Sequence, residues 1–290
     1  MPKIVRFHAT GDADVLRIED LPLAEPGEGE VRLKVEAIGL NRAEVMFRRG
    51  QYLETPELPS RLGYEAAGTV DAVGPGVSDL QVGDRVSTIP SFSIGKYGVY
   101  GESAIVPAYA AVPYPDNLTP VEGAAIWMQY LTAFGALIEY GQIRAQDSVL
   151  ITAASSSVGL AAIQISKNAG ATAIATTRGA DKKPFLLEVG AHHVIVTEEE
   201  DLAESVMKLT AGKGAAMAFD PVAGPNEPVV DDRDGPLPRN DGTFQRKGGR
   251  GRGFRILPGI PACQHGVTRR KNVPDDTGPP NRNGIGGRAA

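Results

Sequence analysis

A single cysteine, Cys263, stands among 290 residues, which excludes an intrachain disulfide and any cysteine-built zinc site. Histidine is nearly as scarce: His8, His192, His193 and His265 are too scattered for a histidine-rich metal centre. No uninterrupted stretch approaches the roughly 18 apolar residues of a membrane span. The first eight residues lead straight into strand-like alternation, with no secretory apolar segment or cleavage site. These absences give the expectation of a soluble, cytoplasmic chain with no metal and no membrane partner. At 30.5 kDa it has room for two domains and a substantial core.

The composition then changes within the chain. Residues 231–290 hold 12 Gly and 7 Pro, with 12 Arg or Lys against 6 Asp and no Glu. Residues 1–230 carry 18 basic and 29 acidic groups. Leu, Ile, Val and Phe supply 9 of the last 60 residues, below the roughly 20% that marks disorder. Such a segment buries too little apolar surface to offset its chain entropy. The expectation is a folded body and a disordered tail over 231–290. Gly248-Gly-Arg-Gly-Arg-Gly-Phe254 has the composition of an RG-rich arm whose arginines neutralise phosphates and whose phenylalanine stacks on bases. The simpler reading is an out-of-frame continuation of a GC-rich gene, and nucleic acid is not the expected partner.

Within the body, residues 1–118 read as β-rich. Val31, Leu33, Val35 and Ala37 alternate with Arg32, Lys34 and Glu36, a half-buried strand of period two. One short helix interrupts the strands: Asn41 caps it, Glu44 completes a capping box and Gly50 ends it. Thr119-Pro-Val-Glu122 starts a helix that runs to Gly141. Strands then alternate with helices: strands over 148–152, 171–176, 193–196 and 215–220, helices over 157–169, 180–189 and 201–209. That pattern gives βαβ units and a parallel sheet.

The first βα turn, Thr152-Ala-Ala-Ser-Ser-Ser-Val-Gly159, keeps only the last glycine of a dinucleotide-binding fingerprint. Small residues let a pyrophosphate approach, and the helix start supplies amides and a positive dipole end; the same serines would also serve simply as caps. The second strand ends in Thr177-Arg178, with Lys182 following, and offers no carboxylate for ribose hydroxyls. A guanidinium there suits a 2′-phosphate, so the expected cofactor is NADPH.

Four motifs occur in order: Gly63-Tyr-Glu-Ala-Ala-Gly68-Thr-Val, Val82-Gly-Asp-Arg-Val86, Ala153-Ala-Ser-Ser-Ser-Val-Gly159 and Phe219-Asp-Pro-Val-Ala-Gly224. With them the chain resembles the medium-chain dehydrogenase/reductase superfamily, in its zinc-independent quinone-oxidoreductase branch. The resemblance implies an α/β protein: a GroES-like β-rich catalytic domain over 1–122, then a partial Rossmann domain, a doubly wound parallel sheet, over 123–230. The zinc-dependent branch would place its ligands at Asn41, Tyr64 and Met128, none a usual zinc ligand. The implied reaction is hydride transfer from NADPH to a quinone, enone or enoyl thioester. Asn41 and Thr132 are the implied nicotinamide contacts, although Asn41 also caps its helix and Thr132 also suits a bond to its own helix backbone. Tyr52 and Tyr64 are candidates to present hydroxyls or ring faces to the acceptor, or to pack. Ser155, Ser156, Ser157, Val158, Gly159, Thr177, Arg178 and Lys182 complete the expected cofactor site. His192 and His193 read as structural, and His8 as packing. Homodimers are common in the family. With most of the second half of the Rossmann sheet missing from the pattern, weak NADPH binding and low turnover are expected. The alternative is a non-catalytic remnant that binds nucleic acid through its tail.

Overall fold

The computed structural model describes residues 1–222 and the strand backbone of Arg252–Arg255. The β-rich unit holds two sheets. In the first, β1 (Lys3–Phe7) lies between β2 (Leu16–Asp20) and β4 (Ser60–Arg61), antiparallel to both. The second has the order β7-β3-β5-β6-β8, built from β3 (Glu30–Gly39), β5 (Glu65–Val73), β6 (Arg85–Thr88), β7 (Ser103–Pro107) and β8 (Ala111–Pro113). Helix α1 (Arg42–Arg48) follows β3, as its capping box predicts. One further helical turn, α2 (Ile94–Tyr97), goes beyond the predicted elements; Ser93 caps it by accepting from the Lys96 amide at 3.1 Å. The alternation in β3 also misplaces Arg32. This residue is buried, because Asp71, Glu25 and the Ala24 carbonyl surround its guanidinium. His8 is exposed and paired with Glu19 rather than packed.

The expected single helix to Gly141 is broken into α3 (Pro120–Gly123), α4 (Trp127–Phe134) and a π-helical turn, Gly135–Tyr140. The break has a steric setting. Gly123 lies against the Tyr114 ring, and Gly39 approaches the Ala124 carbonyl so closely that a Cβ on Gly39 would stand 2.3 Å from it. Taken together, Pro120–Tyr140 reaches the length and hydropathy of a membrane span, which no uninterrupted apolar stretch did, because its alanines and large apolar residues outweigh the scattered polar ones. Here α4 packs along a Rossmann helix, and the Tyr130 hydroxyl bonds to Gln164. Met128 packs against the β-rich core, and Tyr130 and Ala133 belong with the Rossmann core.

The Rossmann unit is a parallel sheet of order β11-β10-β9-β12-β13. Its elements are β9 (Ser148–Ile151), α5 (Ser157–Asn168), β10 (Thr172–Thr177), α6 (Lys183–Val189), β11 (His193–Val196), α7 (Leu202–Leu209), β12 (Met217–Asp220) and β13 (Arg252–Arg255). Strand order reverses between β10 and β12 around β9, the crevice where such sheets bind ligands. The predicted helix over 180–189 opens with a 3-10 turn, Ala180–Lys182. Within the tail, β13 pairs parallel with β12. The remaining tail expectations lie outside the described residues.

Candidate active site

Two carboxylates lie buried where α1 and β5 meet α4. Glu44 is 3% exposed and accepts from the Asn41 amide at 2.9 Å and the Tyr64 amide at 3.1 Å. Burial pushes its pKa up to about 7 despite these donors. Glu65 is 2% exposed and accepts from Asn41 Nδ2 at 2.8 Å and from the Met128 amide at 2.8 Å. Burial also raises its pKa. Asn41 therefore both caps α1 and donates to Glu65. Of the positions where the zinc-dependent branch keeps ligands, Asn41 turns its carboxamide nitrogen to Glu65, and Tyr64 and Met128 contribute backbone amides. Among the described residues no cluster of three His, Cys, Asp or Glu that could hold a metal occurs.

Tyr64 is largely core. Its ring packs on Phe92 at 5.7 Å and edge-on to Tyr52 at 6.3 Å between centroids. Burial raises the Tyr64 and Tyr52 hydroxyls above the ordinary phenol range, so both remain protonated donors. Tyr52 is the more exposed of the pair. The Thr132 hydroxyl donates to the Met128 carbonyl at 2.6 Å, the local helix bond that its position allows. Its lone pairs still accept. Asn41, Tyr52, Tyr64 and Thr132 are thus joined through Glu44, Glu65 and Met128.

The remaining predicted residues gather at the carboxyl end of the Rossmann sheet. Ser156 caps α5, and its hydroxyl accepts from the Gly159 amide at 3.2 Å. The Ser157 and Val158 amides have no partner within the described chain, which leaves two donors at the positive end of a 12-residue helix. Ser155 is half-buried in the turn. Gly159 is required by close packing: a Cβ there would lie 2.7 Å from the Ala153 and Ala154 backbone. Thr177 points inward and bonds to the Gly179 carbonyl, so it shapes the turn. Arg178 and Lys182 are exposed, and neither forms an ion pair among the described residues. His192 accepts from the Ala173 amide at 3.0 Å, a structural role.

Glu65 was visible in the Gly63–Gly68 motif but carried no expected role. Its signal was a carboxylate inside an otherwise apolar strand start, which is costly unless something binds it.

Residues 27–116 match the alcohol dehydrogenase GroES-like domain and residues 157–231 the zinc-binding dehydrogenase domain. The chain is 36% identical over 222 residues to the quinone oxidoreductase of Pseudomonas aeruginosa, covering 77% of this chain and 67% of that protein. It is 35% identical to the synaptic vesicle membrane protein VAT-1 homolog of Rattus norvegicus, covering 74% of this chain and 52% of that one. The chain thus spans between about half and two thirds of these relatives' length. The structure of Escherichia coli quinone oxidoreductase complexed with NADPH aligns with a TM-score of 0.67 at 33% identity, over 75% of this chain and 65% of that one.

Proposed function

Given that the chain belongs to the quinone-oxidoreductase-like branch of the medium-chain dehydrogenase/reductase superfamily, we propose that it binds NADPH and reduces a quinone or an α,β-unsaturated carbonyl without a metal. The observation that carries this reading is the pairing of two open amides at the start of α5 with the exposed guanidinium of Arg178 at the end of β10. The amides and the α5 dipole suit a pyrophosphate, and Arg178, with Lys182 beside it, suits a 2′-phosphate. The nicotinamide, when bound, supplies the hydride. Asn41 and Thr132 would contact its ring. The protonated Tyr52 hydroxyl, the more exposed of the pair with Tyr64 packed behind it, would donate to the acceptor oxygen as negative charge develops there. Such an acceptor is already electron-poor, so it needs less electrophilic help than a simple ketone. The donor set at Asn41, Tyr64 and Met128, which is poor for zinc, accords with that.

The test is titration with NADPH and NADH, read by Trp127 fluorescence, together with a quinone-reduction assay. We expect NADPH to bind weakly but more tightly than NADH, and the low turnover to be unchanged by chelators. Arg178→Asp should weaken NADPH about tenfold to hundredfold, the scale of a lost charge-assisted bond, and leave NADH nearly unaffected. Equal losses for both cofactors would remove the role given to Arg178.

A further inference from the structure

Helix α4 starts without a cap of its own. Ile126 stands at the N-cap with helical backbone angles and has no side-chain acceptor to offer. The first-turn amides therefore need acceptors from elsewhere. One finds its acceptor in the other unit: Glu65 takes the Met128 amide at 2.8 Å. Its other oxygen takes Asn41 Nδ2 at 2.8 Å, and Asn41 is the N-cap of α1. One carboxylate thus sits between the starts of two helices, a position that both dipoles favour.

A purely stabilising role does not require this arrangement. An ordinary N-cap, serine or aspartate with extended backbone angles, would cap α4 locally without desolvating a carboxylate that has no cationic partner among the described residues. What the remote cap adds is a fixed relation between the two units. The Met128 amide is held by Glu65, and the Met128 carbonyl holds the Thr132 hydroxyl at 2.6 Å. A chain of hydrogen bonds then runs from Asn41 through Glu65 and Met128 to Thr132.

We propose that Glu65 is a positioning residue that holds Asn41 and Thr132, the residues that would contact the nicotinamide, in one fixed relation. This rests on the preceding assignment of Asn41 and Thr132 as the nicotinamide contacts. Glu65 itself touches neither cofactor nor substrate in this proposal.

The experiment uses the full chain and three variants: Glu65→Gln, Asn41→Asp and the double Asn41→Asp/Glu65→Gln. Glutamine has one acceptor and one donor, so it must face a donor either at Asn41 Nδ2 or at the Met128 amide. The double variant restores polarity. Its glutamine would donate to the new aspartate and accept from the Met128 amide, and aspartate remains a good N-cap. We expect Glu65→Gln to lower kcat about tenfold to hundredfold, the scale of a misplaced reacting group, with KM for NADPH unchanged. The double variant also alters a nicotinamide contact, so its readout is protection of the Met128 amide rather than kcat. Hydrogen exchange of the Met128 amide and the Asn41 carboxamide gives a readout independent of turnover. At least one should exchange faster in Glu65→Gln, and the Met128 amide should be protected in the double variant. Equal losses in kcat and in NADPH affinity in Glu65→Gln, or no recovery of Met128 amide protection in the double variant, would reduce Glu65 to a structural group and overturn the proposal. Unchanged exchange and kcat in Glu65→Gln would overturn it too. Should the unaltered chain show no NADPH-dependent turnover, the functional reading fails on its own, and the exchange pattern decides whether Glu65 couples α1 to α4.

Discussion

Glu44 shows how a single buried group sets a pH response. Its folded pKa is raised to about 7, against an ordinary value of about 4.3 in an unfolded chain. A carboxyl group shifted in this direction is stabilised in its protonated form. Its contribution is therefore complete below about pH 4.3 and is lost as pH rises through about 7, up to about 4 kcal/mol in all. Glu65, also raised by burial, acts in the same sense. Glu19, Glu30, Glu122 and Glu200 are held below the usual carboxylate range by their hydrogen bonds, so they act with opposite sign and only at more acid pH. The melting temperature should therefore fall between about pH 5 and pH 8. Glu44→Gln, which keeps a capping-box side chain, should flatten most of that slope. An unaltered slope in the variant would assign the response to other groups.

Among the elements, the turn before α5 is the most tightly determined. Alanine normally improves a helix interior over glycine by about 1 kcal/mol. At Gly159 the new Cβ would lie 2.7 Å from backbone atoms of Ala153 and Ala154, which have little room to move. Overpacking of about 1–3 kcal/mol should win. Gly159→Ala is expected to lower the melting temperature by several degrees and to weaken NADPH binding, measured by thermal unfolding and fluorescence titration. The segments that the sequence made legible are those with local causes. Asn41 with Glu44, Thr119 with Glu122, and the alternation of apolar strands with helices each carry their signal within a few residues. The break at Ala124–Ile126 and the capping of α4 depend on Gly39 and Glu65, about 60 or more residues earlier, and no local pattern announces such partners. At the candidate site, the open start of α5 and the exposed Arg178 at the end of β10 were readable because βα turns have a fixed place in a parallel sheet. The tie between Asn41 and Glu65 was not, since a capping residue and a strand carboxylate look unrelated along the chain.

At the scale of the whole molecule, the two units meet through a small number of close approaches. The Trp127 indole donates to Ser87 Oγ at 2.9 Å, and Gly39 comes up against the Ala124 carbonyl and the Glu65 side chain. Gly39→Ala would put a methyl group into that junction, 2.3 Å from the carbonyl and 2.8 Å from Glu65. It should cost about 1–3 kcal/mol and shift Trp127 emission to the red as the junction loosens. A variant with unchanged emission and stability would show the junction to be plastic. The sheet order has a consequence in time. β9 pairs with β10 soon after it, but its other partner, β12, begins only at Met217. At about 5–20 residues per second, a ribosome takes roughly 3–14 s to supply the intervening chain. Throughout that interval the central strand of the Rossmann unit presents an open edge, the form in which a nascent chain is most exposed to mispairing or to a chaperone.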